Sequence, residues 1–474
     1  MASICMVAIE ATIVSTAMPQ IVADLGGLRL YSWVFSAFLL TQTALTVVFG
    51  NLSDIYGRKP VMLGGIAIFV LGSILAGFAW SMPSMIVFRL VQGAGAAAMQ
   101  PVAMTIVADL YPARERGKIQ GYLASVWAIS ALLGPVVGGL IVRNVSWAWV
   151  FWINVPIRLI AAAGFSAFLH ENVQRERRTI DVAGATAFAI AVTSLLICLA
   201  EVGTSDFALL SAAGAVSCIA TVAFILQERR TDNPMVSFAL WRRRPIAAAN
   251  GVCLLSGMAL MGLTTFVPIY VQIVLRRSPL IAGLALTTVL VGWPAGATLA
   301  TRLFHRVGLH HLLLTGALLL PVGAVTFVLL TPQSSPVMAG LGSLVMGFGM
   351  GLLSISSLVL IQEIVDSSQR GSATASNLFS RNLGSTLGAA VLGAVLNHGL
   401  ARATGGTPVT SDQLRQLIEM PPAQIPGDAV LRLALQHSLN LTFWAMLAMA
   451  VIAAVIASMV PLVELKRATP VAAE

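Results

Sequence analysis

The carboxyl group of Glu10 is the first feature of this sequence that could do chemistry. It stands in the run Ile9-Glu10-Ala11-Thr12-Ile13-Val14-Ser15-Thr16-Ala17-Met18-Pro19, and of 19 acidic residues it is the only one expected deep in an apolar stretch. Desolvation favours the neutral form of a carboxyl group, so an acid in such a place can take up and lose a proton when water reaches it. A nearby cation favours the ionised form, so proton and cation would compete for the site. The bland alternative is a structural acid tied to Arg89 or to a hydroxyl such as Thr12. Arg89 lies in a second apolar run, Arg89-Leu90-Val91-Gln92-Gly93-Ala94-Gly95. Its guanidinium is always charged, so it can tune a nearby acid without carrying the proton itself. It can equally be an anchor between helices, with Gly93 and Gly95 permitting close packing. A third cluster, Gly50, Asp54, Gly57, Arg58 and Lys59, has the make-up of a tight charged turn, with Gly57 free to take positive φ.

These residues need elements to hold them, and composition names the kind. The chain has 474 residues, 57% of them hydrophobic and 10% charged, where soluble domains carry about 25% charged residues. That excludes a soluble enzyme, a disordered tail and a nucleic-acid binder. The net charge of +9 belongs to loops beside lipid. Only a bundle of membrane helices fits, each about 20 apolar residues long and satisfying its own backbone groups. Fourteen spans are expected, at roughly 3–23, 31–51, 60–80, 83–108, 117–142, 148–169, 181–202, 206–227, 245–274, 279–303, 311–331, 335–362, 372–398 and 437–463. Arginine and lysine gather in alternate loops, at Arg58 and Lys59, Arg114 to Lys118, Arg175 to Arg178, Arg229 to Arg244, Arg302 and Arg306, and Arg370. The positive-inside rule then puts both termini in the cytoplasm and makes 399–436 one long external loop. No basic segment precedes the first apolar run, and no cleaved signal peptide is expected.

Chemistry of other kinds lacks its residues. Gly117-Lys118 is followed by Ile119, so there is no phosphate-cradling loop, and His170-Glu171 lacks a second histidine for zinc. Cys5, Cys198, Cys218 and Cys253 have no metal-ligand spacing and read as small core residues. No metal and no cofactor are expected.

A repeat runs through the chain. Gly50 to Lys59 is echoed by Thr301 to His310, with Leu52 matching Leu303, Gly57 matching Gly308, and farther on Leu63 matching Leu314 and Gly65 matching Gly316. Arg116-Gly117 is echoed by Arg370-Gly371. The spacing exceeds what six spans need, and the surplus accommodates two extra helices. The expected domains are 1–170 and 245–463, two six-helix halves, with an inserted pair at 181–228. Parallel repeats of this sort are a transporter architecture, with a site at mid-membrane between the halves.

Five stretches resemble motifs of the major facilitator superfamily. Gly50, Leu52, Asp54, Gly57, Arg58 and Lys59 match G-x-L-x-D-[RK]-x-G-[RK]-[RK], with Ile55 departing. The resemblance implies that Asp54 meets a helix start near Gly371 and Ser372 in the other half, that Arg58 pairs with Asp109, and that the contact is a conformational gate. Without it, the same residues make an ordinary capped loop. The Arg89 run is similar to R-x-x-Q-G-x-G, which implies a part in proton movement. Gly134-Pro135-Val136-Val137-Gly138-Gly139 looks like the antiporter motif G-x-x-x-G-P-x-x-G-G, with Ser130 in place of its first glycine; it could also be a packing motif without directional meaning. The Glu10 run resembles the first span of the fourteen-span drug:proton antiporters, with glutamate and Ser15 replacing aspartate and asparagine. Trp147 to Pro156 is similar to the start of their sixth span, with Ala148 replacing arginine; it is given no chemical role, and Arg158 beyond it stays unexplained.

The expected fold is therefore all-α, a fourteen-helix major facilitator bundle. The expected function is proton-driven export of amphipathic, cationic compounds across the cytoplasmic membrane by rocking of 3–169 against 245–463. The resemblance implies a monomer whose partners are its small-molecule cargo, protons and lipid, with no nucleic acid, the proton gradient as energy source and a periplasmic adaptor left open. Gln42, Trp127, Asn250, Trp293 and Asn377 are candidates to line the cavity, and Arg381 is expected near the cytoplasmic end of its span. A dedicated exporter of a metabolite, lipid or siderophore would share this machinery; an uptake symporter and a non-transporting sensor are weaker readings.

Overall fold

The computed structural model describes Glu10, residues 13–14, 17–18, 20–21, 24–26, 31–111, 119, 122, 126, 130, 137–138, 140–169, 181–201, 207–231, 238–277, 279–366, 369–403 and 428–460. Among these, eleven helices are long and apolar enough to cross a membrane, and a shorter apolar helix, Val182–Cys198, joins them. The expected first and fifth spans fall mostly outside the described residues.

The first half contains α1 (Tyr31–Tyr56), α2 (Arg58–Gly77), α3 (Met82–Leu110) and α4 (Trp149–Phe168). An inserted hairpin follows, α5 (Val182–Glu201) and α6 (Phe207–Glu228). The second half contains α7 (Arg244–Ile269, prolonged by a π turn, Tyr270–Val274), α8 (Pro279–Val307), α9 (Leu309–Val328), α10 (Pro336–Ile364), α11 (Arg370–Ala403) and α12 (Asp428–Ser458).

Local chemistry sets the helix starts. Gly57 and Gly308 precede α2 and α9 with φ of 98° and 86°, a region open to glycine and costly for other residues. The sequence repeat is thus a repeat of turns. Its glycines also do equivalent work inside the helices, since a Cβ on Gly65 would strike Ala98 of α3, and one on Gly316 would strike Gly349 of α10. Ser81 opens α3 with a capping box, its hydroxyl accepting from the Ser84 amide while the Ser84 hydroxyl accepts from the Ser81 amide.

Helix pairs cross where glycine removes the side chain. In the second half α8 meets α10 through Gly292, Gly296, Gly347 and Gly351, and α7 meets α11 through Gly257, Gly384 and Gly388. Without a hydrophobic drive between helices in lipid, such close approach supplies the attraction. A Cβ at Gly384 would overlap the Leu254 carbonyl, whereas at Gly393 on the same helix it would meet nothing within 4 Å. Gly384→Val is therefore expected to cost about 1–3 kcal/mol through overpacking. Melting in detergent should fall for Gly384→Val and stay near the parent for Gly393→Val.

One apolar core fills the second half, and two smaller ones fill the first. A fourth cluster joins Leu40, Ala44 and Val47 of α1 to Phe188, Val192 and Leu196 of α5, Phe224 of α6 and Phe379 of α11. The hairpin therefore leans on both halves, with the Phe188 ring centred 5.2 Å from Phe224 and 5.5 Å from Phe379. Asp181 fastens the hairpin's open end: it accepts from the Gly184 amide, Gln227 and Thr231. The outer faces expose Phe168, Phe207, Ile219 and Val222, an apolar periphery suited to lipid.

The external loop expected at 399–436 is shorter at both ends. Residues 399–403 continue α11 and 428–436 belong to α12. Hydropathy marks where a chain leaves lipid, while backbone hydrogen bonding continues as long as helices support each other. Here Gly399 lies against Ser438.

Candidate functional site: two polar clusters and a latch between the halves

In the first half, α3 and α4 converge on Glu10, which lies in the segment before α1 and is 1% exposed. Arg89 of α3 donates through Nη1 to Glu10 Oε1 and to Gln92 Oε1, each at 2.5 Å. Asn154 of α4 donates to the other carboxylate oxygen, Oε2, at 2.7 Å. Gln92 passes the chain on by donating to Ser73 of α2 at 2.8 Å. Arg89 Nε donates to the Val34 carbonyl of α1, and the guanidinium lies 4.3 Å from the centre of the Phe38 ring. The ion pair thus has hydrogen bonds on both carboxylate oxygens, the condition under which a buried pair is tolerable. Glu10 and Arg89 are brought together, the pairing named by the structural alternative for Glu10.

A second guanidinium lies near this cluster. Arg158 stands one turn beyond Asn154 on α4, fully buried, over the Phe69 ring at 3.4 Å, with Nη1 donating to Met99 Sδ. Its Nε and Nη2 have no hydrogen-bond partner among the described residues.

The latch sits at one end of the bundle. Asp54 ends α1 and faces the first turn of α11. It accepts from the Gly371 amide at 2.9 Å, and from the Ser372 amide and hydroxyl at 2.8 Å each. A carboxylate there satisfies otherwise orphaned amides and meets the positive end of the helix dipole. Arg58 bridges Asp54 at 3.2 Å and Asp109 at 2.9 Å, and donates to the Ser53 carbonyl. Asp109 also pairs with Arg370 of the second half at 3.3 Å. Gly50 makes room for the crossing, since a Cβ there would strike Ala375 and the Gly371 carbonyl. Lys59 points elsewhere, donating to the Ser166 carbonyl and tying α2 to α4.

In the second half, Asn250 of α7 donates to Ser376 of α11 at 2.7 Å, and Asn377 donates to Asn250 Oδ1 and Cys253 Sγ. These two candidates meet each other. Trp293 packs against the apolar core of its own half, and Gln42 is buried in α1. Trp127, Gly134, Pro135 and Gly139 lie outside the described residues; Gly138 is buried. Arg381 lies eleven residues into α11, about three turns, rather than near the end of the span.

Sequence reasoning passed over Gln92, Asn154 and Arg370. Gln92 follows Arg89 by three residues, hence on the same helix face, and that spacing could have found it. Arg370 was visible as half of a repeat and as one of the loop cations, with nothing to point to Asp109 as its partner.

The order of these helices is shared with known proteins. Two solved structures superpose over nearly the whole chain. The human organic anion transporter MFSD10 (TETRAN) does so with a TM-score of 0.64 at 15% identity, covering 95% of this chain and 97% of its own. The proton:xylose symporter XylE does so with a TM-score of 0.62 at 16% identity, covering 97% and 95%. Among curated sequences, the Multidrug transporter protein MdtP of Bacillus subtilis is 32% identical over 421 residues, covering 88% of this chain and 76% of that protein. Multidrug resistance protein 3 of the same organism is 33% identical over 397 residues, covering 83% and 77%. The Efflux pump FUS6 of Gibberella moniliformis is 31% identical over 408 residues, covering 82% and 72%. The family model of the Major Facilitator Superfamily matches residues 1–389. With this match and relatives at such identity and coverage, the chain belongs to the major facilitator superfamily, and it is an efflux transporter rather than an enzyme.

Proposed function

We propose that the protein is a proton-coupled antiporter of the fourteen-span drug-exporting branch, moving amphipathic compounds out across the cytoplasmic membrane with both termini inside. The observation that carries this reading is the Glu10–Arg89 pair, enclosed in one half while Asp54 ties that half to the other. Protonating Glu10 removes its attraction for Arg89, so proton arrival changes the packing of α3 against the segment before α1. Breaking the contacts of Asp54 lets α1 part from α11. Coupling the two events makes the halves rock only when the proton site changes state. Motions of this kind need a differential interaction in each state, and these two clusters supply one each. The proton gradient is the energy source, no cofactor takes part, and the unit is one chain in contact with lipid and without nucleic acid.

The test uses proteoliposomes holding the full chain and an amphipathic fluorescent cargo. An imposed pH gradient should drive cargo against its own gradient, and cargo movement should release protons in the opposite direction. Accumulation that persists after a protonophore collapses the gradient would defeat the proposal.

A further inference from the structure

Among the described residues, four carboxyl or guanidinium side chains lie well away from the helix ends or buried in the segment before α1: Glu10, Arg89, Arg158 and Arg381. One is a carboxylate and three are guanidinium groups. Glu10 is already spent on Arg89 and Asn154. Among the described residues no further carboxylate lies at that depth; in the second half Glu363 is at the end of α10, and Asp366 and Asp428 lie outside the spans. A cation entering between the halves would find no free countercharge there and an excess of positive charge.

Arg381 is the guanidinium placed to use that excess. Along α11, Thr374, Asn377 and Arg381 fall at i, i+3 and i+7, hence on one stripe. Thr374 accepts from Gln362 of α10, and Asn377 donates to Asn250 of α7. The stripe therefore looks inward between α7 and α10, while Phe379 on the other side of the helix meets Phe188 of the hairpin. Arg381 is part-exposed on that inward stripe, and its guanidinium makes no hydrogen bond or ion pair among the described residues. The groups on this stripe and against it are polar and uncharged: Asn377 one turn before Arg381, the Asn250 amide that Asn377 meets, and the Cys253 thiol within the electrostatic reach of the guanidinium. An unpaired guanidinium among uncharged polar groups is a receptor for an oxyanion, because its planar fork matches a carboxylate or sulfonate with two parallel bonds.

We infer that the cargo is an organic anion, an amphipathic carboxylate or sulfonate, and that Arg381 is its counter-ion. This rests on the export reading above and replaces the cationic cargo that the Glu10 run suggested.

Binding and transport separate the two claims. Quenching of tryptophan fluorescence on titration of purified full-length protein with 8-anilinonaphthalene-1-sulfonate and with ethidium reads the inference. The sulfonate should bind more tightly, and Arg381→Ala should weaken it about tenfold or more, the scale of one charge-assisted contact. Arg381→Lys should recover part of the loss, and ethidium binding should not fall. Melting of each variant in detergent shows whether it is folded; if Arg381→Ala unfolds, the comparison of Arg381→Lys with Arg381→Gln decides in its place. Equal affinity for both dyes, or sulfonate affinity indifferent to Arg381, overturns the inference even if a pH gradient drives dye export. Arg381-dependent binding with no gradient-driven movement leaves the inference standing and defeats the export reading instead.

Discussion

Arg89→Ala should be the most destabilising single substitution in the first half. Removing one partner of a buried ion pair leaves the other charge without compensation, at a cost of about 3–5 kcal/mol. Here the loss reaches further, because Arg89 also donates to Gln92 and to the Val34 carbonyl. Glu10 would keep only the amide of Asn154. Glu10→Gln removes less, since the amide oxygen can still accept from Arg89. The expected order of melting temperatures in detergent is parent, then Glu10→Gln, then Arg89→Ala. Adding Glu10→Gln to Arg89→Ala should raise the melting point again, because it deletes the stranded charge. If the double variant melts as low as the sum of the single losses predicts, the two residues are not coupled and the pair has no energetic meaning. In transport, Glu10→Gln should keep the fold and lose the dependence of cargo movement on the pH gradient. Retention of that dependence would remove Glu10 from the mechanism.

Asp54→Ala carries the second large effect, on the balance of conformations. Three hydrogen bonds to the first turn of α11 and one ion pair to Arg58 end on this carboxylate. Hydrogen bonds to a charged group contribute about 1.5–3 kcal/mol each. Losing even two of them shifts a two-state equilibrium by roughly a hundredfold. The shift should favour the state in which α1 and α11 are apart at this end. Spin labels on cysteines replacing Tyr56 and Arg306, in a background without the native cysteines, would report it as a longer distance distribution. Both positions are exposed, so labelling should not disturb packing. An unchanged distribution would mean that the two halves are held here by helix packing around Gly50 rather than by the carboxylate.

Some of this was legible in the residues and some was not, for physical reasons. Turns are local, so Gly57 and Gly308 could be read as matched corners, and both take positive φ. The apolar runs mark most of the described helices to within a few residues, because lipid contact is written directly in composition. The ends of α11 and α12 were missed because helix and apolar span are different quantities. Asn154 on Glu10 was missed because 144 residues separate them and nothing local in Ile153-Asn154-Val155 shows which neighbour an amide will find. Contacts of Asp54 with Gly371 and Ser372 span more than 300 residues and could be anticipated only through resemblance. Arg158 and Arg381 stayed uninterpreted because a guanidinium's meaning lies in whether an acid is near, and sequence order is silent on that.

The hairpin formed by α5 and α6 gives the molecule two unlike flanks. On the side where α1 meets α11, aromatic rings from the insertion lie across the joint, and an apolar groove lined by Leu45, Val48, Ala189 and Ile197 runs beside them between α1 and α5. Whatever motion separates α1 from α11 has to drag a third body along with it, which makes Phe188 a gasket whose stiffness sets how easily the joint opens.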